Sequence, residues 1–368
     1  MSAPTDIPAQ TDTPARTDVP AQPGTPATAE APRTSAGAGT ESPGTVTLPL
    51  SKAITAGLRK AMEDDPKVLL YGEDIGKLGG VFRVTEGLQK DFGEHRVIDS
   101  PLAESGIVGT AIGLAIRGYK PVVEIQFDAF IFPAYDQIVT QLAKLHARTH
   151  GAENVPVVIR VPYGGGIGSP EHHGESPETV FAHHAGLRIM APSTAHDAYW
   201  MIQEAIASPD PVMFFEPKRR YWLRGEVDLE NRGAAPDRAQ VVAPGTDCTL
   251  VTYGPLMPTA IDAVSAAAQD GTSIELIDLR SMNPIDFDTI EESVKRTGRL
   301  VVAHEAPVFL GLGAEIAARI SERCFFHLEA PVVRVGAFHA PYPGSKLEHH
   351  YLPDLDRMLD GVDRAMAY

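Results

Sequence analysis

The stretch Asp99-Ser-Pro-Leu-Ala-Glu-Ser-Gly-Ile-Val-Gly-Thr-Ala-Ile-Gly-Leu-Ala-Ile-Arg-Gly118 joins an extended run, Arg96 to Asp99, to a helix. Ile107, Val108, Ala111, Ile112, Leu114, Ala115 and Ile116 lie on almost every side of that helix, the pattern of a buried one. Gly106, Gly109 and Gly113 interrupt it, each at a cost of roughly 1 kcal/mol relative to alanine. Helices that keep such residues do so where something must approach the backbone closely. Glu104 stands at the mouth of this helix. An acid there can simply complement the helix dipole, so the stretch alone leaves a structural and a functional role both open.

Working outward, extended and helical signals alternate from Val46 onward. Ser51 to Asp65 has helical spacing (Ile54, Leu58, Ala61, Met62) and stops before Pro66, and Val68 to Tyr71 is a short apolar strand. Pro121 to Phe127, Val155 to Pro162 and Pro211 to Phe215 are further strands, separated by helices such as Tyr135 to Thr149 and Ala195 to Ser208. Near-continuous apolar strands alternating with helices imply a parallel sheet covered on both faces. The pattern lapses between about Lys218 and Gly245. It resumes as strands at Cys248–Tyr253, Ser273–Leu279, Arg299–His304 and Val332–Val335, with helices at Pro258–Gln269, Phe287–Arg296 and Gly313–Arg323. The expected organisation is therefore a doubly wound domain over 46–225, a linker over 226–245, and a smaller α/β domain over 246–368.

Residues 1–45 differ in kind. They carry the imperfect repeat Thr5-Asp-Ile-Pro-Ala9, Thr11-Asp-Thr-Pro-Ala15 and Thr17-Asp-Val-Pro-Ala21, followed by more Pro, Ala, Thr and Gly. Such a composition cannot bury enough apolar surface to offset the entropy of ordering, so a disordered tail is expected. It has no apolar signal core, and with several acids against Arg16 and Arg33 it makes a poor transit peptide.

The formal charge of -16 argues against nucleic acid and anionic membrane surfaces as partners. Cys248 and Cys324, the two cysteines, have no CxxC context, so neither a disulfide framework nor a zinc site is suggested, and a reducing cytoplasm fits. The nearest approach to a dinucleotide fingerprint, Gly311-Leu-Gly-Ala-Glu-Ile-Ala317, lacks its third glycine and reads better as a closely packed helix start. No phosphate-binding G-x-x-x-x-G-K-[ST] and no G-x-S-x-G elbow occur. Histidines cluster at His172, His173, His183 and His184, with His349 and His350 near the end, in spacings that do not suit a metal. His173 follows the loop Gly164-Gly-Gly-Ile-Gly168, itself just after a strand. In doubly wound sheets, ligands bind at loops after the carboxyl ends of strands. Glu104 also follows a strand, which places both residues at the same edge.

The run 99–118, then P-V-V-E-I-Q-F-D-A-F-I-F-P-A-Y-D-Q-I-V (121–139), resembles the β subunit of the E1 component of 2-oxo acid dehydrogenase complexes. So do G-G-G-I-G-S-P-E-H-H-G-E-S-P-E (164–178), P-V-M-F-F-E-P-K (211–218), E-L-I-D-L-R (275–280) and V-V-A-H-E-A-P (301–307), in order from about Val46 to Tyr368. The closest likeness is to the branched-chain subgroup, with pyruvate and acetoin subgroups sharing much of the pattern. The resemblance implies a pyrimidine-binding domain and a transketolase-like C-terminal domain. It implies thiamine diphosphate shared with an α subunit in an α2β2 heterotetramer, Mg2+ held mainly by the α chain, and acyl transfer to a lipoylated E2 acyltransferase. Glu104 matches the glutamate that hydrogen-bonds N1′ of the cofactor's aminopyrimidine. Leu102 matches a residue packing on the cofactor, and Gln126 and Phe130 match positions lining the pyrimidine pocket. Phe130 stands where branched-chain relatives often have tyrosine. His173 matches the active-site histidine facing the incoming lipoyl group, and His172 has no matching role. Some relatives bind K+ through carbonyls near the positions of Val157, Val158, Ala205, Ser208 and Asp210. Against an enzyme subunit stands a non-catalytic scaffold, which would have no need of Glu104 or His173.

Overall fold

The structure, a computed structural model, describes residues 44–368. The repeats read as a tail lie outside the described residues. The strands are β1 (Thr45–Pro49), β2 (Val68–Gly72), β3 (Val97–Asp99), β4 (Lys120–Glu124), β5 (Val158–Tyr163), β6 (Arg188–Met190), β7 (Val212–Pro217) and β8 (Arg224–Asp228). They continue with β9 (Gln240–Ala243), β10 (Cys248–Thr252), β11 (Ile274–Asp278), β12 (Ser281–Asn283), β13 (Leu300–Pro307) and β14 (Val333–Ala337).

Seven strands form the first sheet in the order β12-β6-β7-β5-β4-β2-β3. All its pairs are parallel except β12 with β6. Helices Leu50–Asp64 and Ala195–Ala207 cover one face, packing Leu50, Ile54, Leu58 and Ile202 against Val68, Val158 and Phe214. These two helices cross closely at Gly57, where a Cβ would stand 2.6 Å from the Tyr199 carbonyl oxygen. The helix Glu104–Ile116 and the segment 128–143 cover the other face. The second sheet runs β14-β13-β10-β11-β9, parallel except for β9 at its edge. One apolar cluster runs from Ile159, Phe181 and Phe215 of the first sheet through Tyr253 and Ile277 to Phe287 and Ile316 of the second.

Most predicted strands and helices fall within a few residues of where the spacing put them. Two expectations change. Tyr135–Thr149 winds helically, but not as one regular helix: the Leu142 amide reaches back to Gln137 O, a widened turn, before the short helix Leu145–Arg148. The helix Glu104–Ile116 is buried on one face only, through Ile107, Val108, Ala111 and Ala115. Gly106, Gly109, Thr110, Gly113 and Ile116 are exposed, and a Cβ at Gly113 would meet nothing within 4 Å. Apolar spacing cannot distinguish a face that meets the chain's own core from one left for another molecule. Gly311 does begin a closely packed helix, since a Cβ there would come within 2.5 Å of the His304 ring. Unforeseen elements include the ribbon of β1 and β8, the strand β6, the edge strands β9 and β12, the short helices Leu88–Phe92 and Glu178–Ala182, and the last helix, Leu355–Met366. Among the described residues no helix is long and apolar enough to cross a membrane.

Candidate active site

Strands β5, β4, β2 and β3 are consecutive neighbours in the first sheet, and all four run parallel. Their carboxyl ends therefore line one edge. From that edge rise Glu73 after β2, Leu102 and Glu104 after β3, Gln126 to Phe130 after β4, and the loop bearing His173 after β5. The parallel order brings these four segments, far apart in sequence, to one edge, where doubly wound sheets bind their ligands.

Glu104 occupies the first turn of its helix and is half-buried. Beside it stands Glu73, whose carboxyl is raised above the usual carboxylate range by burial and by the neighbouring charges of Glu104 and Asp74. Glu73 Oε1 is buried and has no hydrogen-bond partner. Leu102, by contrast, is 78% exposed. A leucine thrown clear of the core next to two carboxylates marks an open face, not a closed cavity.

Phe127, Phe130 and His173 form an aromatic cluster at the same edge. The His173 ring centroid lies 4.4 Å from that of Phe127 and 5.1 Å from that of Phe130, both edge-on. His173 is half-buried and its Nδ1 lies 3.2 Å from the Glu171 carbonyl oxygen, whereas His172 is exposed with φ of 71°. Behind the cluster, Lys218 after β7 forms a fully buried ion pair with Asp128. Burial raises Asp128 to about 6 even against the pull of Lys218. Deeper still, Arg160 bridges Glu124 and Glu216, its Nη1 donating to Glu124 Oε2 and its Nε to Glu216 Oε1, both at 2.6 Å. These buried pairs fix the ends of β4, β5 and β7 and so the loops that rise from them.

The other histidines lie elsewhere. His184 pairs with the Tyr135 hydroxyl at 2.6 Å, and burial, then His183 and Lys144, hold its pKa below the usual value. His349 and His350 are exposed, their ring centroids 3.9 Å apart and their planes tilted by 41°. A recess of about 900 Å³ at the junction of the two sheets, lined by His183, Asp286 and Arg319 among others, includes none of Glu104, Gln126, Phe130 or His173. Both cysteines are buried and free. Sequence reasoning missed Glu73 and Phe127. The rule that singled out Glu104, a polar residue just past a buried strand, applies equally to Glu73.

Residues 47–222 match the family "Transketolase, pyrimidine binding domain" and residues 237–358 the family "Transketolase, C-terminal domain". The chain is 59% identical over 326 residues to a pyruvate dehydrogenase E1 component subunit beta of Leifsonia xyli subsp. xyli, covering 89% of this chain and 97% of the relative. The chain belongs to the E1 β subunits of 2-oxo acid dehydrogenase complexes. A second relative, a 3-methyl-2-oxobutanoate dehydrogenase subunit beta of Mycobacterium tuberculosis, is 52% identical over 323 residues, 88% of this chain and 93% of that one. The fold is also that of a solved structure described as a split-gene transketolase, an inactive beta4 tetramer. That match has a TM-score of 0.72 and 22% identity over 86% of this chain and 98% of the other.

E1 proteins of this family use thiamine diphosphate, and an E1 β subunit works with an α subunit. The residues present fit half of such a site: a carboxyl pair with one orphaned oxygen, an exposed leucine and an aromatic wall, all on an open face. The carbonyls singled out for K+ lie at the opposite end of the sheet, where β5 begins. Val157 O accepts from the Val212 amide at 2.9 Å, Ala205 O from the Ser208 amide at 3.3 Å, and Asp210 O from the Ser208 hydroxyl at 3.0 Å.

Proposed function

We propose that this E1 β subunit, with an α subunit, oxidatively decarboxylates branched-chain 2-oxo acids and passes the acyl group to the lipoyl group of an E2. In this proposal Leu102, Glu104, Gln126 and Phe130 hold the aminopyrimidine half of thiamine diphosphate, with its diphosphate and Mg2+ on the α chain. The bound cofactor supplies the electron sink that decarboxylation of a 2-oxo acid requires. Glu104 would hydrogen-bond the ring nitrogen N1′ and exchange a proton with it, with the Glu73 carboxyl, raised by burial and by Glu104, beside it. Phe127 and Phe130 exclude water and hold His173 by ring packing. His173 sits at the entrance and gives a proton to the lipoyl sulfur as the acyl group is accepted. The open glycine face of the helix Glu104–Ile116 suits close approach of another subunit's backbone.

The observation that carries the proposal is that the Glu104 loop after β3 and the His173 loop after β5 rise from one edge of the same sheet, with Phe127 and Phe130 after the intervening β4 packed on His173. Branched-chain substrates follow from the motif resemblance. A second proposal, pyruvate, draws on the 59% identity with the Leifsonia protein. A potassium ion bracing the carbonyls of Val157, Val158, Ala205, Ser208 and Asp210 is proposed only as a structural element, and a cytoplasmic location accords with the two free cysteines. The test is co-purification with the α subunit, then decarboxylation with thiamine diphosphate and Mg2+ across pyruvate and branched-chain 2-oxo acids. Preference for 3-methyl-2-oxobutanoate is expected; preference for pyruvate selects the second proposal. No turnover on any of them by an intact assembly overturns both.

A further inference from the structure

The loop between β5 and the helix Glu178–Ala182 carries His173, yet it makes few hydrogen bonds of its own. Its neck is closed by the Gly164 amide, which donates to Glu175 O at 2.9 Å, and its tip by the His173 amide, which donates to Pro170 O at 3.1 Å. Between these, Gly164, Gly166 and Gly168 all take left-handed φ values of 81°, 89° and 71°. His172 does so too at 71°, which for a residue with a side chain costs on the order of 1 kcal/mol and persists only where the surroundings enforce it.

The partners of the glycine stretch before it belong to the second domain. Glu348 is buried, and its two carboxylate oxygens accept from the Gly166 amide at 2.8 Å and the Gly168 amide at 3.0 Å. Glu305 Oε2 accepts from the Gly165 amide at 3.2 Å. The Tyr342 hydroxyl donates to Glu348 Oε1, and the Tyr342 ring lies between the two ends of the loop. A Cβ at Gly165 would stand 2.3 Å from the Tyr342 hydroxyl oxygen, and one at Gly174 would stand 2.4 Å from its ring. A cavity of about 210 Å³ beside this contact is lined by Gly174, Glu175, Glu305, Tyr342 and Leu352. Three loop amides thus end on two carboxylates from a part of the chain more than a hundred residues away. Hydrogen bonds to ionised acceptors are about twice as strong as neutral ones, so this grip outweighs the loop's internal bonds.

We propose that Glu348 is a positioning residue for His173. By holding Gly166 and Gly168 it sets how far the His172–His173 tip reaches past Phe127 and Phe130, and so links seating of the second domain to presentation of the histidine. The proposal rests on the assignment of His173 to acyl transfer.

The experiment uses the assembled enzyme with its α subunit and the variants Glu348→Ala, Glu348→Gln, Tyr342→Phe and His173→Ala. Backbone amide exchange is read over residues 164–175, and lipoyl acylation is measured against decarboxylation with an artificial electron acceptor. Glu348→Ala is expected to speed exchange of the Gly166 and Gly168 amides at least tenfold and to lower the acylation-to-decarboxylation ratio about tenfold. Glu348→Gln, which keeps one accepting oxygen, and Tyr342→Phe, which removes one donor, should give smaller changes of the same sign. Unchanged loop exchange in all three variants overturns the proposal. So does faster exchange with an unchanged ratio, provided His173→Ala does lower that ratio. If His173→Ala leaves the ratio unchanged, the role of His173 fails and the consequence drawn for Glu348 falls with it, while loop exchange separately reports whether Glu348 holds the loop.

Discussion

His173 stands edge-on to Phe127, ring centroids 4.4 Å apart and planes at 61°, so a residue after β5 is held by one after β4. His173→Ala removes the proposed proton donor while leaving the Phe127–Phe130 wall. Reductive acylation of lipoyl is expected to fall about 100-fold, the scale of general acid catalysis, and decarboxylation to fall less. Stopped-flow measurement of the two steps checks this, and equal loss in both would argue against a lipoyl-facing role.

Glu104 begins the helix at the open edge, next to the half-buried carboxyl of Glu73. Glu104→Gln keeps size and helix start but cannot exchange a proton. Decarboxylation should drop by about 100-fold or more, with the α–β assembly eluting unchanged in size-exclusion chromatography. Wild-type turnover in this variant would remove Glu104 from the mechanism.

Tyr253 of the second domain donates its hydroxyl to Glu178 Oε1 of the first at 2.8 Å, and burial pushes Glu178 up to about 7. Between 4.5, its ordinary value, and about 7, the folded chain keeps a proton that the unfolded chain has released. This contribution to stability is therefore full below 4.5 and lost as pH rises through about 7, at up to about 1.4 kcal/mol per pH unit. Glu178→Gln should raise the denaturation midpoint at pH 8 and change it little at pH 5. An identical pH dependence in the two proteins would refute the assignment. Asp278, also raised to about 7 by burial, leaves a residual slope in the variant.

Arg160 is the sole cation within hydrogen-bond reach of Glu124 and Glu216 among the described residues, and all three are buried. Arg160→Met strands two carboxylates and is expected to cost about 3–5 kcal/mol, seen as a lower urea midpoint. Replacing Arg160, Glu124 and Glu216 together by apolar residues of like volume should recover most of that loss. A mild single-variant effect would show that the carboxylates find other partners.

Much of the fold was legible because each element announces itself locally. The apolar run of β5 and the helical spacing of Leu50–Asp64 depend on neighbours a few residues apart. The short strands β9 and β12 were not, because their pairing partners lie 33 to 94 residues away in sequence and supply the reason they are extended. Glu104, His173 and Phe130 could be named from motif and strand-end position. Glu73, just past β2, was open to the same strand-end reading, whereas Phe127 becomes visible only through the ring it stands beside.

The sequence by itself determined two parallel α/β units, the acid at the mouth of a glycine-bearing helix, and membership of the E1 β family. All of this follows from short-range patterning and ordered motifs. Tertiary structure alone decided that the helix Glu104–Ile116 keeps one face open, that Glu73 crowds Glu104, and that Glu348 grips the loop of His173. Those relations join residues from 31 to 182 positions apart, and nothing in local spacing encodes which distant carboxylate meets which amide.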